Sequence, residues 1–141
     1  MVQPYRVLVT GSRDWDDKHA VWHTLASTIL ANAPADAPVV VVHGACPGGA
    51  DFHAAAWAQR ARADGRRPVE EERHPAQRHR TQDFGPWPGA GPRRNAYMVG
   101  LGADCCLAFI GPCTSPRCRR PDPHPSHGAS GCADLAENVG I

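Results

Sequence analysis

Two glycine-bearing turns in this sequence directly follow short apolar runs rich in β-branched residues. The first turn, Thr10-Gly11-Ser12-Arg13, follows residues 7–9, and the second, at 43–51, reads His-Gly-Ala-Cys-Pro-Gly-Gly-Ala-Asp. A buried strand that ends in small residues before a helix lets backbone N–H groups approach a phosphate closely. The two turns therefore predict a nucleotide-type pocket at the carboxyl edge of a parallel sheet. Their spacing matches neither the G-x-G-x-x-G fingerprint nor a Walker loop, which excludes those standard assignments.

Polar side chains in and near these turns could bind the ligand. Ser12 offers a hydroxyl, and Arg13 offers a guanidinium fork suited to phosphate or carboxylate, although the same residues also fit a simple exposed turn. Asp51, close to the start of a predicted helix, either caps that helix or accepts ribose hydroxyls. A third segment, Gly91-Pro92-Arg93-Arg94-Asn95, brings cations and an amide to a helix start, which fits anion recognition or a solvated basic turn.

Cysteine and histidine residues crowd a proline-rich stretch near the end of the sequence. Thiolates and imidazoles within such a short segment can form a tetrahedral zinc site, although no C-x2-C pair is present. The alternative is a set of free cysteines, with His127 serving the pocket instead. The predicted zinc ligands are Cys113, Cys118, His124 and His127.

Apolar runs and helical spacing alternate along the chain. We expect strands at 6–10, 39–43, 69–73 and 104–110, and helices at about 17–32, 50–63, 92–102 and 130–138. Asp16 or Asp17 is expected to cap the first of these helices, and Asp64-Gly65 to end the second. Irregular loops are expected at about 74–91 and 111–127. This alternation predicts an α/β fold, a single Rossmann-like three-layer domain over residues 1–141 with a mostly parallel sheet.

Composition restricts the class of protein and of partner. The chain has 141 residues, a formal net charge of +1 and 21% charged residues, so no overall basic field indicates nucleic acid as the partner. The sequence shows neither a signal-peptide pattern nor an apolar run of membrane-spanning length, so we expect no membrane contact and a cytoplasmic location. The six cysteines are then expected to be reduced.

Three motifs together resemble a known family. They are V-T-G-S-R-D-W at 9–15, H-G-A-C-P-G-G-A-D at 43–51 and G-P-R-R-N-A-Y-M at 91–98. The chain resembles the SLOG superfamily, in its YspA-related branch, over residues 7–141. That resemblance implies a Rossmann-like fold that binds nucleotides or nucleotide-derived ligands. Relatives include LOG-type nucleoside-monophosphate phosphoribohydrolases, the DNA-processing protein of transformation and ligand-sensing domains of defence systems.

The resemblance also implies which residues face the ligand. The first turn would line the pocket floor, the second turn would form the next wall, and the third motif would supply a cation and an amide. The family's late phosphate loop falls on Gly128-Ala129, where Ser126 and Ser130 lie close enough to supply the missing hydroxyl. The ligand-binding residues implied are Gly11, Ser12, Arg13, Gly44, Gly48, Gly49, Asp51, Arg94, Asn95 and Gly128.

One departure from the LOG-type pattern favours binding over catalysis. The late loop at 126–132 lacks the glutamate of those hydrolases, and Asp134 is the nearest carboxylate. Cleavage through an oxocarbenium-like centre needs a carboxylate close by. We therefore expect a sensor or sequestering protein for an ADP-ribose-like ligand, and a homo-oligomer as in relatives. The alternatives are an N-glycosidic hydrolase using Asp51 or Asp134, and a single-strand nucleic-acid binder using the basic loop at 73–94 with Phe84, Trp87 and Tyr97.

Overall fold

The computed structural model describes residues 2–76 and 84–141, in which four strands alternate with four helices. Part of the predicted loop at 74–91, including two of the arginines invoked for nucleic-acid binding, lies outside the described residues. The elements are β1 (Tyr5–Gly11), α1 (Lys18–Asn32), β2 (Val39–His43), α2 (Gly49–Asp64), β3 (Val69–Arg73), α3 (Ala90–Gly100), β4 (Cys105–Phe109) and α4 (His127–Asn138).

The four strands form one parallel sheet in the order β3-β2-β1-β4. β1 lies in the interior, with Val7 paired to Val41 of β2 on one side and to Cys105 of β4 on the other. β3 extends the sheet beyond β2. The α/β fold and the predicted parallel sheet are therefore confirmed.

Helices cover both faces of the sheet, because successive side chains of a strand point to opposite sides. On one face Val7, Val9 and Val41 pack against α1 and α2 through residues such as Leu25 and Ala54. On the other face a second core forms against α3 and α4; it contains Leu8, Val42, Met98, Val99, Cys132 and Ala136. The result is the three-layer arrangement that the sequence predicts.

Local signals place several helix ends where the sequence indicates. Asp17, rather than Asp16, caps α1 by accepting a hydrogen bond from the Ala20 N–H at 3.0 Å. Gly65 ends α2 in the left-handed conformation, with φ of 70°.

Two helices begin earlier than predicted. α3 starts at Ala90 instead of 92, because Pro92 lies in the first turn, where its missing N–H costs no intrahelical bond. α4 starts at His127 instead of 130. The backbone of Ser126 is extended and bonded to Gly111, and this tertiary contact fixes the start of the helix ahead of the glycine-rich residues.

Among the helices in the described part of the chain, none is both long and apolar enough to span a membrane.

Candidate functional site

The predicted ligand segments meet at the carboxyl ends of β2, β1 and β4. The helices that follow β1 and β4 pack on opposite faces of the sheet, so the winding of the chain reverses between these two parallel strands. In open α/β sheets, ligands bind in the crevice outside the strand ends at this kind of switch point. This edge of the sheet is therefore the candidate site.

Ser12 is the buried centre of the first turn, with 3% of its surface exposed. Its hydroxyl accepts a hydrogen bond from the Gly111 N–H at 2.7 Å and shares a second, at 2.8 Å, with the hydroxyl of Ser126. Its backbone N–H donates to the carbonyl of Phe109 at 2.9 Å. Ser12 thus connects the end of β1 to the segments that leave β4 and enter α4.

Arg13 is exposed and lies over an aromatic ring. Its guanidinium carbon is 5.3 Å from the ring centroid of Trp87. A cation in this position is attracted by the electron-rich face of the indole. The side chain is therefore held near the crevice while its N–H donors stay at the surface.

Asp51 organises the second turn from within α2. Its Oδ2 accepts hydrogen bonds from the N–H groups of Gly44 at 3.1 Å and Cys46 at 3.4 Å. The N-cap of α2 is Gly48, so the capping role considered for Asp51 is wrong. The carboxylate is 6% exposed and holds the turn that connects β2 to its own helix.

Gly49 lets the two turns touch. Its φ is +74°, and a Cβ at this position would overlap the carbonyl oxygen of Ser12. The Ala50 N–H donates to that same carbonyl at 3.3 Å. Only glycine adopts this conformation without strain, so Gly49 is required for the first turn to lie on the start of α2.

Arg94 and Asn95 form a buried bridge from α3 to the turns. The Nη1 atom of Arg94 donates to the carbonyls of Gly44 at 2.7 Å and His74 at 3.1 Å, and its Nε donates to the Asn95 side-chain oxygen at 2.7 Å. The Asn95 amide donates to the carbonyl of Gly128 in α4 at 3.4 Å. Gly44 leaves room for this arginine, because a Cβ there would overlap the guanidinium.

A histidine–glutamate pair supports the second turn, and sequence reasoning did not assign it a role. His43 is 1% exposed; its Nδ1 accepts the Ala45 N–H at 2.9 Å, so its Nε2 carries the proton and donates to Glu71 at 2.7 Å. Burial lowers the pKa of His43 despite the nearby carboxylates, which keeps the ring neutral. Ala45 has a φ of 56°, unusual for a residue other than glycine. His43 belongs to the quoted motif, whereas Glu71 has no signal in the sequence.

The first turn of α4 faces this crevice without a side-chain cap. Ser126 is the N-cap residue, but its hydroxyl contacts Ser12, and no side chain in the described ranges caps the helix. The first N–H groups of a helix lack intrahelical partners and carry a partial positive charge. The start of α4 therefore has the character of an anion-binding group.

Four side chains of the proline-rich segment converge on one point. One ligand atom each from Cys113, Cys118, His124 and His127 lies within 4.8 Å of the others. An antiparallel bridge between Pro112 and Pro125 brings the two ends of the segment together. This cluster (Cys113, Cys118, His124 and His127) is the arrangement predicted from the sequence, and its residues could hold a metal. Cys132 lies apart, buried in the second core.

The separations within the cluster fit a tetrahedral ion. The His124 and His127 Nε2 atoms are 3.1 Å apart, and the Cys118 Sγ atom lies 3.3 and 3.4 Å from them. Zinc bond lengths at tetrahedral angles give about 3.3 Å between two imidazole nitrogens and about 3.6 Å between nitrogen and sulfur. The His124 Nδ1 atom lies 2.8 Å from the carbonyl of Asp122, so it donates there and leaves Nε2 with a lone pair for a metal.

Three groups remain to be considered for catalysis, namely Asp134, Asp51 and Cys46. Asp134 is exposed on α4, and Asp51 already accepts two backbone hydrogen bonds. Burial raises the pKa of the Cys46 thiol, with Asp51 adding to the effect, so this thiol in the second turn is a poor nucleophile. Phe84 and Tyr97 pack edge to face, with centroids 5.5 Å apart. All six cysteines are free thiols.

Comparison with known proteins finds a matching family and a similar phage protein. The sequence model of a family described as YAcAr, the YspA, cpYpsA-related SLOG family, matches residues 5–80. The Gene 61 protein of Mycobacterium phage D29 is 44% identical over 106 residues, which cover 74% of this chain and 75% of that protein. No solved structure matches the chain. The family match includes β1, β2 and both glycine turns.

Proposed function

Because this chain belongs to the YspA, cpYpsA-related SLOG family, we propose that it binds a nucleotide or a nucleotide-derived ligand of the ADP-ribose class at the carboxyl edge of its sheet. The observation that carries the proposal is the uncapped start of α4 beside the switch point, with the hydroxyls of Ser12 and Ser126 directly next to it. Helix amides and hydroxyls at such a point suit a phosphate group.

Two arginines complete the proposed anion site. Arg94 is buried, and its three described hydrogen bonds engage the N–H groups on Nε and Nη1, whereas a guanidinium has five N–H donors. Arg13 is exposed and stacked on Trp87, so it can turn onto a phosphate at the cost of one modest cation–π contact. We assign Arg13 to a terminal phosphate and Arg94 to the support of the second turn and the ligand.

The proposed role is sensing or sequestration, without cleavage. Hydrolysis of an N-glycosidic bond needs a carboxylate beside the sugar, whereas Asp51 is engaged by the second turn and Asp134 is exposed on α4. The ligand is therefore held and released unchanged.

Calorimetry with ADP-ribose and AMP tests this proposal. We expect a dissociation constant on the order of micromolar and at least a tenfold weakening in Arg13→Ala. The matched control is Arg119→Ala, an exposed arginine in the proline-rich segment. Chromatography after incubation should detect no free base. Absence of binding to both compounds and to inorganic phosphate would contradict the proposal, and release of free base would replace binding with hydrolysis.

We also propose that the Cys/His cluster binds one zinc ion per chain. The donor set, the separations and the tautomer of His124 support zinc, which prefers thiolate and imidazole ligands in a tetrahedral arrangement. Elemental analysis should find about one zinc per chain in the purified protein. The variant with both Cys113→Ser and Cys118→Ser should lose it, whereas Cys46→Ser, outside the cluster, should keep it. Protein without zinc, even after incubation with the ion, would refute the assignment.

Self-association is a further part of the proposed function. α3 and α4 pack together and leave several large apolar side chains exposed, namely Tyr97, Leu101, Leu135 and Val139. A surface of this kind suits contact between identical copies. Light scattering should give a mass at least twice that of one 15.1 kDa chain. A monomer at micromolar concentration would contradict this part.

A further inference from the structure

Three consecutive residues at the start of α4 contact three different parts of the molecule. The hydroxyl of Ser126 lies 2.8 Å from that of Ser12, and His127 is a member of the metal cluster. The carbonyl of Gly128 accepts the amide of Asn95 at 3.4 Å. We call residues 126–128 the α4 latch. Metal ligand and pocket contacts are therefore adjacent along one short piece of backbone.

A second contact joins the proline-rich segment that carries the Cys/His cluster, here called the metal-bearing segment, to the residues around Arg13. Thr114, next to Cys113, donates its hydroxyl hydrogen to the Asp14 carboxylate at 3.0 Å. Ser12 and Asp14 lie on either side of Arg13, so the metal-bearing segment holds both neighbours of the exposed arginine. These two contacts come from opposite ends of that segment, one after Cys113 and one before His127.

The position of this segment depends on what fills the cluster. Four groups that can each offer a lone pair to a metal converge there, and an ion bound by all four would hold them together. The segment between β4 and α4 has little regular structure. Its Pro112–Pro125 bridge consists of two backbone hydrogen bonds, from the Cys113 N–H to the His124 carbonyl at 2.7 Å and from the Ser126 N–H to the Gly111 carbonyl at 2.9 Å. An ion at the cluster therefore fixes both ends of the segment relative to each other.

We infer that metal binding controls the nucleotide pocket: an ion at the cluster fixes the α4 latch and Thr114, and these hold Ser12 and Asp14 so that Arg13 is presented to the ligand. The inference rests on the proposed function for the identity of the ligand. Coupling between two sites is reciprocal, so a ligand in the pocket also increases the affinity of the cluster for the ion. The two sites act as one unit.

Hydrogen–deuterium exchange with and without zinc tests the inference directly. Zinc should slow amide exchange in residues 11–15 of the wild-type protein and tighten ADP-ribose binding about tenfold, a typical size for coupling between sites. Ser126→Ala retains all four metal ligands and removes the contact to Ser12. It should bind zinc with wild-type affinity but lose most of both effects. Thr114→Val removes the other contact, and Ser27→Ala, on α1, is the matched control.

The possible outcomes distinguish this inference from the nucleotide-binding and zinc-binding proposals on which it rests. If zinc binds but leaves exchange in the first turn and ADP-ribose affinity unchanged, the inference is overturned while both binding proposals remain. If zinc slows exchange in the first turn and ADP-ribose does not bind, the link from metal to turn is supported and the nucleotide proposal fails. If zinc does not bind, the zinc proposal and this inference are both overturned.

Discussion

Replacement of Arg94 with alanine should destabilise the protein far more than replacement of its neighbour Arg93. Arg94 is 7% exposed and donates to the oxygens of Gly44, His74 and Asn95. Removal of the guanidinium leaves these three acceptors without their donor and empties the space beside Gly44. Arg93 is exposed, and its partners are the carbonyls of a surface segment.

The size of the effect follows from the number of bonds and their burial. A hydrogen bond to a charged group contributes about 1.5–3 kcal/mol to the free energy of unfolding. Water can enter near a side chain that is slightly exposed and satisfy part of what is lost, so we expect about 3–5 kcal/mol for Arg94→Ala. That loss is a large share of the roughly 5–15 kcal/mol that stabilises a typical domain. Arg93→Ala should cost about 1 kcal/mol or less.

Denaturant unfolding followed by tryptophan fluorescence measures both values, since the chain has four tryptophans. The melting temperature should fall by about 10 °C in Arg94→Ala. Arg94→Lys should recover little, because an ammonium group cannot reach the three acceptors in the planar arrangement that a guanidinium does. Equal stability of the Arg94→Ala and Arg93→Ala variants would refute the bridge between α3 and the second turn.

Two further effects follow from single residues. Gly49→Ala should lower the free energy of unfolding by about 2 kcal/mol or more, because φ is +74° and a Cβ would overlap the Ser12 carbonyl. Gly131→Ala, in open space on α4, is the control and should be neutral or stabilising. Thermal melts compare the two variants. A paired hydrogen bond from Arg6 lowers the pKa of Glu72 to about 2, so its stabilisation should be present above the ordinary value of 4.5 and fade as the pH falls toward 2. Glu72→Gln should reduce the loss of stability over that acid range. At neutral pH it should cost about 1 kcal/mol, because the Arg6 and Glu72 side chains are both partly exposed. An acid profile identical to that of the wild-type protein would contradict the role given to the Arg6–Glu72 pair.

Much of the fold could be predicted from local patterns. Short apolar runs marked β1 and β2 closely. Asp17 and Gly65 marked helix ends, because capping and left-handed turns depend on a few neighbouring residues. The starts of α3 and α4 were wrong by two or three residues. α4 begins in glycine-rich sequence, where the backbone contact of Ser126 with Gly111 outweighs local helix propensity. α3 begins early because Pro92 is tolerated in the first turn of a helix.

The predicted site residues show the same difference between what local patterns indicate and what tertiary contacts decide. Residue types and spacing indicated which glycines, arginines and metal-binding side chains to consider, and the four members of the Cys/His cluster were found from the sequence alone. The partners of these residues could not be found that way. Glu71 bonds to His43 from the neighbouring strand, and Asp51 holds the second turn where helix capping was one expectation.

By itself, the sequence determined the alternation of strands and helices, the two glycine turns and the set of metal-binding side chains, because each depends on residues close together in the chain. Only the tertiary structure decided that Ser12 contacts Ser126, 114 positions away, and that Arg94 spans from α3 to Gly44. The parallel sheet brings the carboxyl ends of β1, β2 and β4 to one edge. Contacts between residues so far apart depend on that packing, since no local preference encodes which strand end lies beside which.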